Sequence, residues 1–187
     1  MTSSPTPDLP VTDHIDPVSD ARRFRTALGQ FATGVTIVTA LGEPGAHDHA
    51  EGLMAGVTAT SFNSLSFDPP LVLWSLGSRA GSLPVFEACS HYAINVLAAG
   101  QLSLAQRFAS REIIGNARYE GISHVAGLGG APLLDGCCAW FECANVRRHV
   151  EGDHVIFIGR VERCRIETHA PLLFHDGGFK GAIALPG

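Results

Sequence analysis

The chain has 187 residues, a formal net charge of −5 and 45% hydrophobic residues, which suits a single globular domain with a sizeable core. Its basic residues are scattered, which argues against a nucleic-acid surface and against attachment to an anionic membrane. No run of about 18 apolar residues marks a membrane span.

The opening stretch MTSSPTPDLPVTDHIDPVSD lacks a basic start followed by an apolar core, so no secretory signal is expected and the cytoplasm is the expected compartment. Residues 1–18, rich in Pro, Ser, Thr and Asp, are expected to form a flexible tail or an arm laid on a partner, ahead of one domain over 19–187. From Ser19 onward Phe24, Leu28 and Phe31 recur at helical spacing, which predicts a short amphipathic helix capped by Ser19 or Asp20. GVTIVTAL (34–41) reads as a strand, 42–52 as a loop, LMAGVTAT as a second strand and PLVLWSL (70–76) as a third. The third is apolar on both faces and is expected to lie centrally.

SRAGSLPVFEACS (78–90) predicts a loop and a short helix, with Ser82 and Pro84 at its start. HYAINVLA (91–98) is a strand and QLSLAQRFAS (101–110) a helix; the Gly-rich residues 111–132 carry no clear period. Residues 138–150 and 154–166 alternate on either side of Glu151-Gly152-Asp153, which predicts a long antiparallel hairpin. PLLFHDGGFKGAIAL closes the chain around a Gly-Gly turn. Six or more strands with short helices point to a mainly β fold, a barrel decorated by helices.

The five Cys are odd in number and form no C-x-x-C pair, so reduced thiols are expected rather than a disulfide or zinc framework. His47-x-His49 has no third ligand at usable spacing and reads as a loop pair, not a metal site. GLGG (127–130) lacks the strand-turn-helix frame and acidic residue of a dinucleotide fingerprint.

Two stretches offer binding chemistry. TATSFNSLSFDPP (58–70) sets hydroxyl and amide groups between apolar segments. Such a row suits a polyhydroxyl chain, a phosphate or the polar edge of a heterocycle, and equally a solvated loop. GSRAGSLP (77–84) combines Arg79 with the Ser78 and Ser82 hydroxyls and a helix start, either an anion site or a capped helix with an exposed Arg. EGDHVIFIG (151–159) places Asp153 and His154 at a turn, where a His can contact a substrate or simply face water.

In order along the chain, FRTALGQFATGVTIVTA, GVTATSFNSLSFDPPLVLWSL, HYAINVLAAGQLSLAQRFA, PLLDGCCAWFEC, EGDHVIFIGRVE and PLLFHDGGF resemble the flavin reductase family over about Phe24 to Leu185. The resemblance implies a split β-barrel with short flanking helices, related to FMN-binding proteins and usually a homodimer. It implies reduction of FMN or FAD by NAD(P)H, with reduced flavin passed to a separate oxygenase. Thr58, Ala59, Thr60, Ser61, Phe62, Asn63 and Ser64 would line the flavin ring and ribityl chain. Ser78, Arg79 and Ser82 would take the phosphate, and Phe108 would sit near the cofactor. His154 of the GDH motif, with Phe179, would border the nicotinamide; where the family often carries Tyr in the closing segment, Phe174 and Phe179 stand here, with His175 kept. A flavin carrier or sensor, and a reductase acting on another substrate such as a corrinoid, share the same fold-level signals.

Overall fold

The computed structural model describes residues 14–42 and 52–183. Most of the expected N-terminal tail, and the His47/His49 pair, fall outside these residues. In chain order the elements are α1 (Ala21–Gly29), β1 (Thr33–Gly34), β2 (Thr36–Leu41), β3 (Met54–Ala59), β4 (Asn63–Phe67), β5 (Pro70–Gly77) and α2 (Leu83–Ala88). There follow β6 (His91–Val96), α3 (Leu102–Ala109), β7 (His124–Ala126), β8 (Pro132–Leu134), β9 (Ala139–Glu151), β10 (His154–Ile166), β11 (Leu172–His175) and β12 (Gly178–Gly181). Asp20 caps α1, its side chain accepting from the Arg23 N–H.

The main sheet has seven strands in the order β3-β2-β6-β9-β10-β5-β4, with every pairing antiparallel. A three-stranded sheet (β1-β11-β12) and a two-stranded hairpin (β7-β8) complete the fold. The fold is mainly β, as expected, but β3 and β4 remain free edges of the large sheet: hydrogen bonding does not close it into the expected barrel. β5 lies one strand in from an edge rather than at the centre, and its outward Leu71 and Leu73 are only half-buried. Among the described residues no helix is long and apolar enough to cross a membrane.

Two cores lie on opposite faces of the sheet, as the two-residue strand period requires. Val38 and Ala40 of β2, Tyr92 and Ile94 of β6 and Cys143 of β9 join the first, together with Trp74, Phe86 and Phe157. Trp74 stacks on Phe157 at 4.7 Å and meets the edge of Phe86 at 4.9 Å. Ile37, Leu97 and Trp140 turn the other way and join the second core, under α3 and Tyr119. With both faces covered, Thr36 to Ala40 are buried without a break.

The Gly-rich residues that showed no sequence period are organised by side-chain hydrogen bonds instead. Asn95 is fully buried; its Nδ2 donates to Ile37 O at 2.9 Å, and its Oδ1 accepts from the Leu134 N–H at 2.8 Å. Thr39 Oγ1 donates to Pro132 O at 2.6 Å, so β8 is bound to the sheet through side chains. The edge of β3 is covered in the same way: Asn116 Oδ1 accepts from the Met54 N–H at 2.8 Å, and Tyr119 OH donates to Ala55 O at 2.6 Å. Arg118 donates to the carbonyls of Gly56, Phe108, Ser110 and Ile113. Desolvation by these surroundings holds its pKa below the usual guanidinium value.

The closing hairpin turns on Asp176 and Gly177, at φ 49° and 70°, rather than on the glycine pair. A two-residue turn of this hand needs positive φ at both positions, which Asp tolerates and Gly adopts freely; Gly178 pairs across to His175 in the ladder.

All five cysteines are free, and four of them are buried. Burial pushes the thiol pKa of Cys89 up to about 11 and those of Cys137 and Cys143 up to about 12. A thiol reagent at about pH 8 should therefore titrate Cys164 alone in the folded chain and all five thiols after unfolding. A second test concerns Gly56, where an added Cβ would overlap the Phe108 ring and lie 2.6 Å from Tyr119 OH. Gly56→Ala should lower stability by about 1–3 kcal/mol, read as a drop in Tm.

Candidate functional site

The chain leaves β3 at Ala59, crosses through Thr60, Ser61 and Phe62, and returns as the edge strand β4. Four bonds fix the crossing. Thr36 Oγ1 donates to Ala59 O at 2.9 Å. Ser61 Oγ donates to Ser75 O at 3.1 Å and accepts from the Ser75 N–H at 2.9 Å, pinning the crossing to β5. Thr58 Oγ1 donates to Ala105 O at 2.7 Å, tying β3 to α3. Phe62 lies against Phe141, with ring centroids 5.5 Å apart, and closes the first core.

The polar row quoted from the sequence therefore divides in two. Thr58 and Ser61 are structural, their hydroxyls bonded within the chain. Thr60, Asn63 and Ser64 are exposed and form no side-chain hydrogen bond among the described residues. Only this second set is free to meet a ligand.

The end of β5 brings the remaining predicted groups together. Gly77 pairs with His154 of β10, so the β9–β10 turn lies beside the loop that follows β5. The Ser78 N–H donates to Asp153 O at 2.9 Å, which joins that loop to the turn. Asp153 Oδ1 lies 2.7 Å from His154 Nδ1. That bond, then the His154 charge, and after these a weaker pull from Arg79, hold the Asp153 carboxyl below its ordinary value. The carboxylate accepts from Nδ1–H, and among the described residues His154 Nε2 makes no hydrogen bond. The lowered pKa keeps Asp153 ionised, and the tie made, until the pH falls below the ordinary carboxylate range.

Ser78 and Arg79 are exposed. Ser82 is half-buried at the start of α2, and its hydroxyl caps nothing. α2 has only six residues, so the positive character of this loop comes from Arg79 rather than from a helix dipole. One rim thus runs from residues 60–64, through Ser75, to residues 78–82 and on to Asp153 and His154.

Two predicted residues are placed elsewhere. Phe108 is 1% exposed, with its ring edge-on to Tyr119 at 5.1 Å. It fills the space that Gly56 leaves open, so the apolar stripe of α3 gives it to the core rather than to the rim. Phe179 belongs to the separate three-stranded sheet, where its ring meets Phe174 at 5.3 Å. Sequence reasoning passed over Arg118, Asn116 and Asn95, which hold the segment behind the wall. They stand in or against a stretch without period, and no local pattern marks them. Among the described residues no cluster of three or more His, Cys, Asp or Glu side chains is placed to hold a metal.

A rim of uncharged hydroxyl and amide groups with one arginine, ending at the Asp153–His154 pair, on a mainly β scaffold, offers partners for a polar, phosphate-bearing ligand. Comparison with known proteins gives that frame a family. The flavin reductase like domain matches residues 28–182. The FMN reductase (NADH) of Agrobacterium fabrum is 39% identical over 160 residues, covering 86% of this chain and 85% of its own. A flavin reductase of Pseudomonas putida is 35% identical over 167 residues, covering 89% and 92%. Among solved structures, the NADH:FAD oxidoreductase of Streptomyces globisporus in complex with NAD and FAD fragments superposes with a TM-score of 0.80 at 35% identity, over 92% of this chain and 98% of that one. The chain belongs to the flavin reductase family.

The split among the hydroxyls is testable. Thr58→Val removes the bond to α3 and should lower stability by about 1 kcal/mol. Thr60→Val should leave stability within about 0.5 kcal/mol of wild type and weaken flavin binding. Thermal melts and flavin titrations of the two variants should move in opposite columns.

Proposed function

We propose that this chain is an NADH-dependent flavin reductase that supplies reduced FMN or FAD to a separate monooxygenase. The observation that carries the reading is the continuous rim, in which free hydroxyl and amide groups, one arginine and one oriented histidine are joined by the Ser61–Ser75 and Ser78–Asp153 bonds. The donor set fits a flavin nucleotide. Thr60, Asn63 and Ser64 offer uncharged partners for a ring edge and a polyol chain, while Ser78, Arg79 and Ser82 offer hydroxyls and one fixed charge for a phosphate.

When bound, the flavin ring accepts hydride from the nicotinamide, and the cofactors carry the chemistry. The protein's task is to position and to exclude. Thr60, Asn63 and Ser64 hold the ring edge, and Arg79 anchors the far end so that the ring does not swing. His154, its Nδ1 held by Asp153, would offer Nε2 to the polar groups of the nicotinamide and so help to position a ring whose small displacements carry large rate effects. No acid–base pair is required for the transfer.

Three further features belong to this reading. Val72 and Trp74 of β5 share one core with Ala55 and Ala59 of β3, which supports a sheet curled into a split barrel. The outward, half-buried Leu71, Leu73, Ile156 and Ile158 support a homodimer. Five free thiols suit a reducing compartment, the cytoplasm.

Nicotinamide absorbance, followed with free FMN or FAD, tests the assignment. Wild type should oxidise NADH in a flavin-dependent manner. Arg79→Gln should raise the flavin Kd about tenfold and leave the NADH KM unchanged. His154→Ala should raise the NADH KM about tenfold and leave flavin affinity unchanged. Tight flavin binding without NADH oxidation would make the chain a carrier instead.

A further inference from the structure

The outer face of the β9–β10 hairpin carries two side chains that the fold does not use. The two strands pair without a register shift from His154–Glu151 to Ile158–Arg147. Alternation therefore puts Arg147, His149 and Glu151 of β9 on the same face as His154, Ile156 and Ile158 of β10. Arg148 points the other way and donates to Glu87 O of α2 at 2.9 Å. Its partner in register, Phe157, belongs to the first core, so that second face is the inner one. Arg147 and His149 are exposed, and among the described residues neither side chain makes a hydrogen bond, an ion pair or a ring contact.

This pair is aligned with the candidate site. Counted along β9 from Glu151, which faces His154, His149 lies about 7 Å and Arg147 about 14 Å away. A nicotinamide dinucleotide carries its parts in a matching order: the ring, one ribose, then a doubly charged pyrophosphate. With the ring beside His154, the pyrophosphate falls over His149 and Arg147, away from the carboxylates of Glu151 and Asp153 at the turn. A guanidinium fork takes two phosphate oxygens at once, and an imidazole N–H adds a further donor. The other cation of the rim, Arg79, stands in the loop after β5 and is already matched to the flavin phosphate.

We propose that Arg147 and His149 form a pyrophosphate subsite that lays NADH along β9 with its nicotinamide at His154. This deepens the reductase reading given above and rests on it. The subsite lies on β9, beside rather than on the apolar patch of β5 and β10. It divides the work of two arginines: Arg79 holds the flavin, and Arg147 holds its reductant. FAD carries a pyrophosphate too, so the experiment separates the two sources.

The full chain, free of flavin, is titrated with ADP-ribose, which has the pyrophosphate without the nicotinamide. Wild type should bind it. Arg147→Gln should raise its Kd and the NADH KM about tenfold, and His149→Gln should raise both about threefold. Arg147→Lys should recover part of the loss. Arg163→Gln, which removes the same charge near the far end of β10, should change neither by more than about twofold. The advantage of NADH over reduced nicotinamide riboside, a donor without phosphate, should shrink about tenfold in Arg147→Gln. An unchanged ADP-ribose Kd or NADH KM in Arg147→Gln, an equal loss in Arg163→Gln, or a wild type that binds no ADP-ribose at millimolar concentration overturns the subsite. An Arg147→Gln chain that weakens FAD more than FMN overturns it as well, since the pyrophosphate held would then be that of the flavin. NADH oxidation by wild type with free flavin reports separately on function. No oxidation, with ADP-ribose binding that depends on Arg147, sinks the reductase reading and leaves the subsite; normal oxidation, with Arg147→Gln equal to wild type, does the reverse.

Discussion

An edge strand exposes a row of unpaired carbonyl and N–H groups, and β3 is such an edge while also leading directly into the candidate site. The chain meets that constraint with side chains. Arg118 spreads its guanidinium across four carbonyls from β3, the end of α3 and the segment beyond it. Asn116 and Tyr119 take two further backbone groups on the same strand. A planar fork of donors suits this role, because it satisfies several acceptors at fixed angles without needing a carboxylate. With the edge held, α3 packs close over Gly56, Thr58 reaches Ala105, and the crossing from β3 to β4 starts from a fixed point.

From that point the site is organised by short ties between backbone segments. Ser61 acts as both donor and acceptor to one residue of β5, much as a strand partner would. Three residues on, just past the end of that strand, the Ser78–Asp153 bond fixes the β9–β10 turn to the loop carrying Arg79. Rigid strands on both sides of these ties suit a reaction that depends on ring placement more than on proton transfer. The groups left unbonded along the rim are the ones available to a ligand.

Much of this was legible in the sequence, and the physical reasons are specific. Strands and hairpins showed because alternation, β-branched residues and turn glycines are local signals; β9, β10 and their turn appear nearly as expected. The site reading rests on the family resemblance, since the polar row by itself suits a solvated loop. What sequence could not separate was Thr58 and Ser61 from Thr60, Asn63 and Ser64. The difference lies in whether a partner carbonyl happens to be across the way, and that is a tertiary fact. The burial of Phe108 was hidden for a related reason, because the space beneath Gly56 is visible only once β3 and α3 are packed. The position of β5 next to an edge was hidden because a strand apolar on both faces reads as central whatever its neighbours are.

The placement of the cysteines has a chemical consequence. Reduced flavin released into aerated water reacts with dioxygen and yields peroxide, so a protein of this kind works beside its own oxidant. Oxidation of a cysteine begins at the exposed thiolate. Three of these five sulfurs are enclosed in the cores and Cys138 is buried at the start of β9, and burial favours the protonated form of all four; Cys164 alone stands at the surface. Oxidative wear would therefore collect at one position on β10, away from both hydrophobic interiors, and the packing that supports the rim would outlast it.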